Sequence, residues 1–527
     1  MYGAPYFRKG ITMAKLPPLP TYPESYWLQS LNGLPAYTKL QHDTEADVAV
    51  IGGGISGITT AYLLAKEGLS VILLEAGKLL HGTTGHTTAK ITAQHDLIYD
   101  ELINQEGIEK ASLYFQANQD ALRFIERTVN QHAIDCSLLR QDAYVFTNSE
   151  DYIRKLEKEM TAYESIGIPA AYVDHIPLTS ISSRAAIRMD DQAQFHPLRY
   201  LESLVRQITE AGGHLYEGTT AIDIEKGQLP TVRTADGHAV TCKHVAICSH
   251  FPFYDGFGFF FARMHAERSY ALGVKSNIDY PGGMYISAED PKRSIRSATA
   301  EDGSPLLIIG GQKHKTGQGI CTINHYEALQ EYAANQFKTE EILYRWSAQD
   351  LVTGDKLPYI GRITDADSKS NIYIATGYQK WGMTTGTAAA MIISDLIQEK
   401  ENRYEELFSP SRSLSVKTLK NLVVDNFDVA KHLISGKLEM VHRKPDDLEP
   451  DEGAAVTLHG RRAGAYRDKE GKLYIVDTTC THMGCEVEWN NGDRTWDCPC
   501  HGSRFSITGE VMEGPAERPL PLLSEQH

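Results

Sequence analysis

The chain has 527 residues, 42% of them hydrophobic, and a formal net charge of -16. That length allows two or three domains with a substantial core, and the charge argues against nucleic acid or an anionic membrane surface as a partner. No apolar run approaches the ~18 residues that span a bilayer, so no transmembrane segment is expected.

The first twenty residues lack an apolar signal-peptide core. Arg8-Lys9-Gly10 lies shortly before Met13 and reads like a translated ribosome-binding stretch, so translation is expected to start at Met13. A Pro-rich, aromatic lead follows from Pro17 to Tyr37, within an N-terminal extension assigned to 1–44. Asp47 to Ile51 then reads as a buried parallel strand. It is followed by Gly52-Gly-Gly54-Ile-Ser56-Gly57, a helix to about Glu67, and a strand from Ser70 to Leu74 that ends at Glu75. A lone GxGxxG is weak evidence, and a glycine-rich turn that binds nothing is the competing reading. Here the motif follows a strand, opens a helix and has an acid twenty-three residues after Gly52, which points to a dinucleotide-binding unit. Gly52 permits the tight turn, Gly54 lets a pyrophosphate reach the helix start, Gly57 allows close packing, and Glu75 can bond ribose hydroxyls. Ser56, in the first helical turn, joins the cofactor-binding set.

The loop Gly82-Thr-Thr84-Gly-His86-Thr87-Thr88-Ala-Lys90 comes next. Together with the upstream unit it resembles the D-amino-acid oxidase superfamily of FAD enzymes, particularly the glycine oxidase and gamma-glutamylputrescine oxidase branches. The resemblance implies an α/β Rossmann-like FAD domain with an antiparallel-sheet substrate domain. In those relatives the loop lines FAD, with Thr84, Thr87 and Thr88 taking its serine, asparagine and glycine places and His86 replacing an arginine. Dimethylglycine dehydrogenase-like members carry a flavin-linked histidine in a similar setting. His86 is therefore expected to be either a covalent attachment point or a polar contact in the FAD site.

Apolar spacing from Asp96 to Gln131 is helical, Cys136 to Thr147 alternates like a strand, and Asp151 to Ile166 reads as a charged helix. His196, before a proline, is either catalytic or a helix-start residue. Strands at 214–217 and 221–225, a hairpin at Asp236-Gly237 and a strand from His244 to Cys248 return the chain to the FAD domain, with Ala221 near the adenine as the resemblance implies. Short strands between 251 and 340 form the expected substrate sheet, on which Arg268, Tyr270, Tyr285 and Arg296 are candidate amine-binding side chains. FAD-binding parts are assigned mainly to 45–100, 195–250 and 345–400, and substrate parts to 135–190 and 251–340. Pro358-Tyr-Ile-Gly361 matches a late superfamily motif, and the second glycine loop follows: Gly377-Tyr378-Gln-Lys-Trp381-Gly382-Met383-Thr384. The resemblance aims its helix start at the flavin, where a helix N-terminus stabilises anionic reduced flavin. Tyr378 and Trp381 are expected to face the substrate.

A charged, partly helical connector is predicted at 401–440, and short strands resume at 441–527. Here stand Cys480-Thr-His482-Met-Gly-Cys485 and Cys498-Pro-Cys500-His501-Gly-Ser503. Two Cys and two His from two loops suit a Rieske [2Fe-2S] centre, in which two Cys hold one iron and two His the other. Structural zinc usually takes Cys-Cys and His-His pairs from separate elements, and here every pair is mixed. The loops resemble the Rieske domains of cytochrome bc-type complexes. That resemblance makes Cys480, His482, Cys498 and His501 the ligands and pairs Cys485 with Cys500 in a disulfide. It also implies that Ser503 bonds a bridging sulfide and that Gly514-Pro515-Ala516 shields the cluster. Phe505 stands where the family has a tyrosine donor to sulfur, so a lower potential than in the respiratory relatives is expected. Cys136, Cys242, Cys248 and Cys321 are read as ordinary reduced residues of a cytoplasmic protein.

The combined reading is an FAD-dependent dehydrogenase of a small-molecule amine or amino acid. Its electrons would leave through the cluster to a protein or quinone acceptor. Inward electron flow and a nonenzymatic redox sensor or carrier are the alternatives.

Overall fold

The computed structural model describes residues 16–31, 33–254, 256, 258–300, 302–319, 321–363, 370–412 and 441–524. Of the connector expected at 401–440, the part from 413 lies outside the described residues; before it stands one short helix, Glu405–Phe408.

The body is built on two sheets. In the first, the strand Thr44–Ile51 lies between Val71–Leu74 and Ala239–Ile247, all parallel, and Ile372–Thr376 continues beyond Ala239–Ile247. Val48 to Ile51 and Val71 to Leu74 are buried along their whole length. Unbroken apolar runs of this kind form parallel strands because both faces are covered. The helices Ile55–Lys66 and Gly382–Ile397 pack against one another beside this sheet, and each begins where a strand ends, at the edge where such sheets bind ligands.

The second sheet runs Thr339–Thr353, Met264–Ser276, Pro305–Lys315, Arg293–Thr299, Met284–Ser287, Leu139–Thr147, Ala185–Gln194 and Lys90–Ile91. Alternation divides its residues between two cores. Ala271, Ile308 and Trp346 face the nucleotide-binding side. Tyr270, Leu272, Val274, Leu307 and Ile309 face the helix Ile323–Phe337, whose Tyr326, Leu329, Ala333 and Phe337 close that side. This helix and the full length of the strand Thr339–Thr353 were not anticipated from the sequence. The helical span over 96–131 comprises two helices, Tyr99–Glu106 and Ile108–Gln131. Gly107, at φ +91°, breaks it in a conformation that side chains disfavour.

The C-terminal module is all-β, with one antiparallel sheet over 452–476 and a second over 488–513 that carries the cluster loops. The N-terminal lead is packed into the body. Its short helix Tyr26–Gln29 buries Tyr26 and Trp27 in the main core. Among the described residues no helix is long and apolar enough to cross a membrane.

Candidate active site and cluster site

Two helix starts converge at the carboxyl edge of the parallel sheet. The N-cap residues of Ile55–Lys66 and Gly382–Ile397, Gly54 and Trp381, place no side chain of their own on these helix starts, which leaves backbone N–H groups beyond that of Ile55 open to an acidic ligand. Ser56 Oγ donates to Tyr378 Oη at 2.9 Å and joins the two. The glycines are required by space: a methyl group on Gly52 would lie 2.5 Å from the Cys248 carbonyl, and one on Gly57 1.9 Å from the Gly52 carbonyl. Glu75 accepts from the N–H groups of Gly53 and Gly77, both at 2.7 Å. Its pKa is raised, first by burial.

The loop that follows is held from behind. Five consecutive carbonyls, Gly85 to Ala89, are each taken by a donor. Ser25 Oγ bonds Gly85, Trp346 Nε1 bonds His86 at 2.9 Å, Trp27 Nε1 bonds Thr87 at 2.6 Å, and Arg296 Nη1 reaches Thr88 and Ala89. Thr84 Oγ1 accepts from Ile55 N at 3.0 Å, tying the loop to the first helix start. Thr87 accepts from Ala89 N, and the Thr88 methyl lies 3.4 Å from where a side chain on Gly310 would begin. His86 Nδ1 donates to the Gly82 carbonyl at 3.0 Å, and burial lowers its pKa. With its carbonyls occupied on one side, the loop can offer its other side to a cofactor. The open helix starts and the glycine cradle fit FAD.

At the second loop Gly377 takes φ +80°, and a methyl there would lie 2.6 Å from Thr353. Met383 and Thr384 are buried, and Thr384 Oγ1 donates to the Thr92 carbonyl at 3.1 Å. Gly382 opens the helix, and Trp381 stacks on His95 with centroids 4.5 Å apart. His95, held by Tyr114 at 2.7 Å and driven by burial to a pKa of about 3, was missed in the sequence. Ala221 is buried at the start of its strand.

The expected substrate residues divide between the sheet faces. Arg296 points to the flavin loop, but it is committed to backbone carbonyls there. Tyr270 and Tyr285 belong to the core on the other face of the sheet, closed by Ile323–Phe337, and Arg268 lies in register with Gln349. Tyr270 bonds His314 at 2.9 Å and packs on Tyr326, and Tyr285 stacks on Tyr144 and donates to the Gly282 carbonyl. Arg268 pairs with Glu513 of the C-terminal module at 2.7 Å. His196 is a helix N-cap, its Nδ1 accepting from Arg199 N at 3.2 Å. Lys90, unnoticed in the sequence, donates to the Tyr285 carbonyl at 2.8 Å.

In the C-terminal module the two loops meet. Cys485 and Cys500 form a disulfide. Both sulfurs lie within 4.8 Å of the Cys498 sulfur, but their mutual bond leaves Cys480 and Cys498 as the thiols able to bind metal. A hydrogen bond from Cys498, helped by Ser503, lowers the Cys480 thiol to about 7, although burial opposes it. The rings of His482 and His501 stand 4.9 Å apart. Burial lowers both pKa values, His501 to about 4, and keeps the imidazoles neutral as ligation requires. Their Nδ1 atoms are buried without a hydrogen-bond partner. Two orphaned ring nitrogens beside two adjacent thiols fit a [2Fe-2S] cluster. Ser503 Oγ also accepts from Ala516 N at 3.0 Å, which draws the Gly514-Pro515-Ala516 loop over the site.

The histidine edge faces the body. Phe251 meets His482 at 6.4 Å and Phe261 meets His501 at 6.1 Å. A methyl on Gly502 would lie 2.5 Å from Ala266 Cβ and 2.9 Å from Gln349 Oε1. The carbonyl of the same Gln349 accepts from Thr83 Oγ1, in the first flavin loop, at 3.3 Å.

A family model described as FAD dependent oxidoreductase (DAO) matches residues 47–396, and one for the Rieske [2Fe-2S] domain matches 439–524. The protein YhfW of Bacillus subtilis (strain 168) is 51% identical over 498 residues, covering 94% of this chain and 97% of that protein. Gamma-glutamylputrescine oxidoreductase of Escherichia coli (strain K12) is 23% identical over 407 residues, covering 72% of this chain and 90% of that protein. The crystal structure of glycine oxidase from Geobacillus kaustophilus shares the fold, with a TM-score of 0.59 at 19% identity over 71% of this chain and all of that one. The chain therefore belongs to the DAO family of FAD-dependent oxidoreductases, with FAD as its cofactor and a C-terminal Rieske domain for a [2Fe-2S] cluster.

Proposed function

We propose that the chain is a dehydrogenase that oxidises a small-molecule amine or amino acid and passes the electrons through the cluster to an external protein or quinone acceptor. When bound, FAD supplies two-electron oxidation of a C–H bond next to nitrogen, and the cluster supplies one-electron transfer. On this reading Gly52, Gly54, Ser56, Gly57, Glu75, Thr84, His86, Thr87, Thr88, Ala221, Gly377, Gly382, Met383 and Thr384 hold FAD. Cys480, His482, Cys498 and His501 hold the cluster. Tyr378 and Trp381, beside the second helix start, are the remaining substrate-facing candidates.

The observation that carries this reading is Gln349, whose backbone touches the first flavin loop while its side chain packs on the turn after His501. A simple oxygen-using oxidase has no need of that junction. The amine chemistry is supported by the kinship with gamma-glutamylputrescine oxidoreductase. The test is anaerobic stopped-flow mixing of the holoenzyme with a panel of amines and amino acids. The expected result is flavin bleaching followed by the electron-spin signal of a reduced cluster. Bleaching with the cluster left oxidised refutes the exit route, and no bleaching by any compound refutes the substrate class.

A further inference from the structure

Much of what joins the C-terminal module to the body is charged and buried. Arg268 is 0% exposed. Its Nη1 donates to Ser347 Oγ at 2.9 Å and its Nη2 to Glu513 Oε2 at 2.7 Å. Arg504, in the module, pairs with Asp493, with Asp497 at 3.2 Å and with Glu513 at 3.4 Å. The body answers Asp493 from two elements. Tyr326 donates to its Oδ1 at 2.7 Å, and Ser347 donates to its Oδ2. Arg345 donates to the Gly492 carbonyl, Thr322 to Asn490 at 2.6 Å, and Ile323 N to Asn491 Oδ1 at 3.1 Å. Burial by itself would raise Asp493 and Glu513, yet Arg504 and Arg268 outweigh it and hold Glu513 at about 2.

Ion pairs at a wet surface part easily, but pairs stripped of water do not, because separating them strands a buried charge. Opening this interface would part Arg268 from Glu513 and strip Asp493 of the two hydroxyl donors that the body gives it. The steric fit is equally close. Gly317 meets the cluster loop where a methyl would lie 2.6 Å from Pro499 N. Arg268 and Gln349 are register partners on adjacent strands, so the residue that grips Glu513 also aligns the residue that packs on Gly502.

We propose that the cluster-bearing module stays docked on the body throughout the reaction cycle, and that Arg268 is the positioning residue that holds the Gly502 turn against Gln349. Docking of this kind removes the need for a domain swing between the two cofactor sites. The purpose of the docking rests on the electron route proposed above, in which one centre loses each electron that the other gains and no bond is formed or broken.

The test compares wild-type holoenzyme with Arg268→Met and Arg268→Lys. Hydrogen exchange is read at 345–353 and 490–505. Arg268→Met should raise it roughly tenfold at both, and Arg268→Lys, which keeps the charge without the fork, by less. The flavin absorbance and the cluster's electron-spin spectrum should stay unchanged in both variants. In the same proteins the rate of cluster reduction after flavin reduction is followed in increasingly viscous buffer. It should be independent of viscosity in the wild type and fall with viscosity in Arg268→Met. A wild-type rate that falls in proportion to viscosity, or interface exchange unchanged in Arg268→Met, overturns the docked arrangement. If no electron reaches the cluster in any of the three proteins, the electron route fails, and the exchange data still decide the docking.

Discussion

Replacing Trp27 with Phe tests whether the flavin loop is shaped from behind. Trp27 is 1% exposed, and its indole N–H is the donor to the Thr87 carbonyl at 2.6 Å. Phenylalanine keeps an aromatic ring near His196, whose centroid lies 5.1 Å away, and near the Arg296 guanidinium at 5.3 Å. What it removes is the donor, and a buried carbonyl left unpaired costs about 1–3 kcal/mol. If that penalty falls on the FAD-competent loop, affinity for FAD should drop by roughly 5- to 150-fold. The assay is titration of deflavinated protein with FAD, followed by quenching of flavin fluorescence, with thermal melts run beside it to establish that the variant is folded. A folded Trp27→Phe protein that binds FAD within about twofold of wild type would refute the argument that the loop's carbonyls must be held for its other side to bind. Trp346→Phe, which frees the neighbouring His86 carbonyl, should act on the same loop and combine non-additively.

Two further outcomes are expected. Cys485 and Cys500 are 15 residues apart, so replacing both with Ser should destabilise the cluster module by about 3 kcal/mol through the entropy of the open loop. Thermal bleaching of the cluster measures this, and an unchanged midpoint would mean that packing alone holds the two loops. Lys90 is lowered to about 7, first by burial and then by Arg296. Between that value and the ordinary lysine range the unfolded chain binds the extra proton, so folding stability should rise with pH above 7. Lys90→Met should flatten that rise in urea midpoints, and parallel curves for the two proteins would exclude Lys90 as its source.

The cluster loops were legible because ligation is local. Cys-x-His and Cys-x-x-His place their donors whatever the rest of the chain does. The parallel sheet was legible for a similar reason, since Val48 to Ile51 and Val71 to Leu74 are apolar without alternation. Several strands of the second sheet could be found, but alternation states only which residues share a face. Which face meets the flavin loops is decided by what covers the other one. That cover is the helix Ile323–Phe337, and its Tyr326, Leu329, Ala333 and Phe337 do recur at helical spacing and could have been read. Without it, the sequence alone did not say which face of the sheet carries Tyr270 and Tyr285. The supports of the flavin loop left no such trace. Ser25 and Trp27 act on carbonyls sixty residues away, and Arg268 meets Glu513 across 245. Pairings at that separation have no period for a local pattern to reveal.

The N-terminal lead also orders events during synthesis. Thr21 accepts from Arg494 Nη1 at 2.6 Å, and the Arg494 guanidinium lies 4.6 Å from the Tyr22 ring, so partners 473 positions apart close the same strap. A ribosome adding ~5–20 residues per second needs roughly 25–95 s to travel between them. Trp27 can reach Thr87 early, while most of the chain is still unmade, but the strap's bond to Arg494 must wait until the cluster module has emerged. The last residue assigned to the flavin site, Thr384, is also made well before Arg494, so the seal between the two halves is the later event.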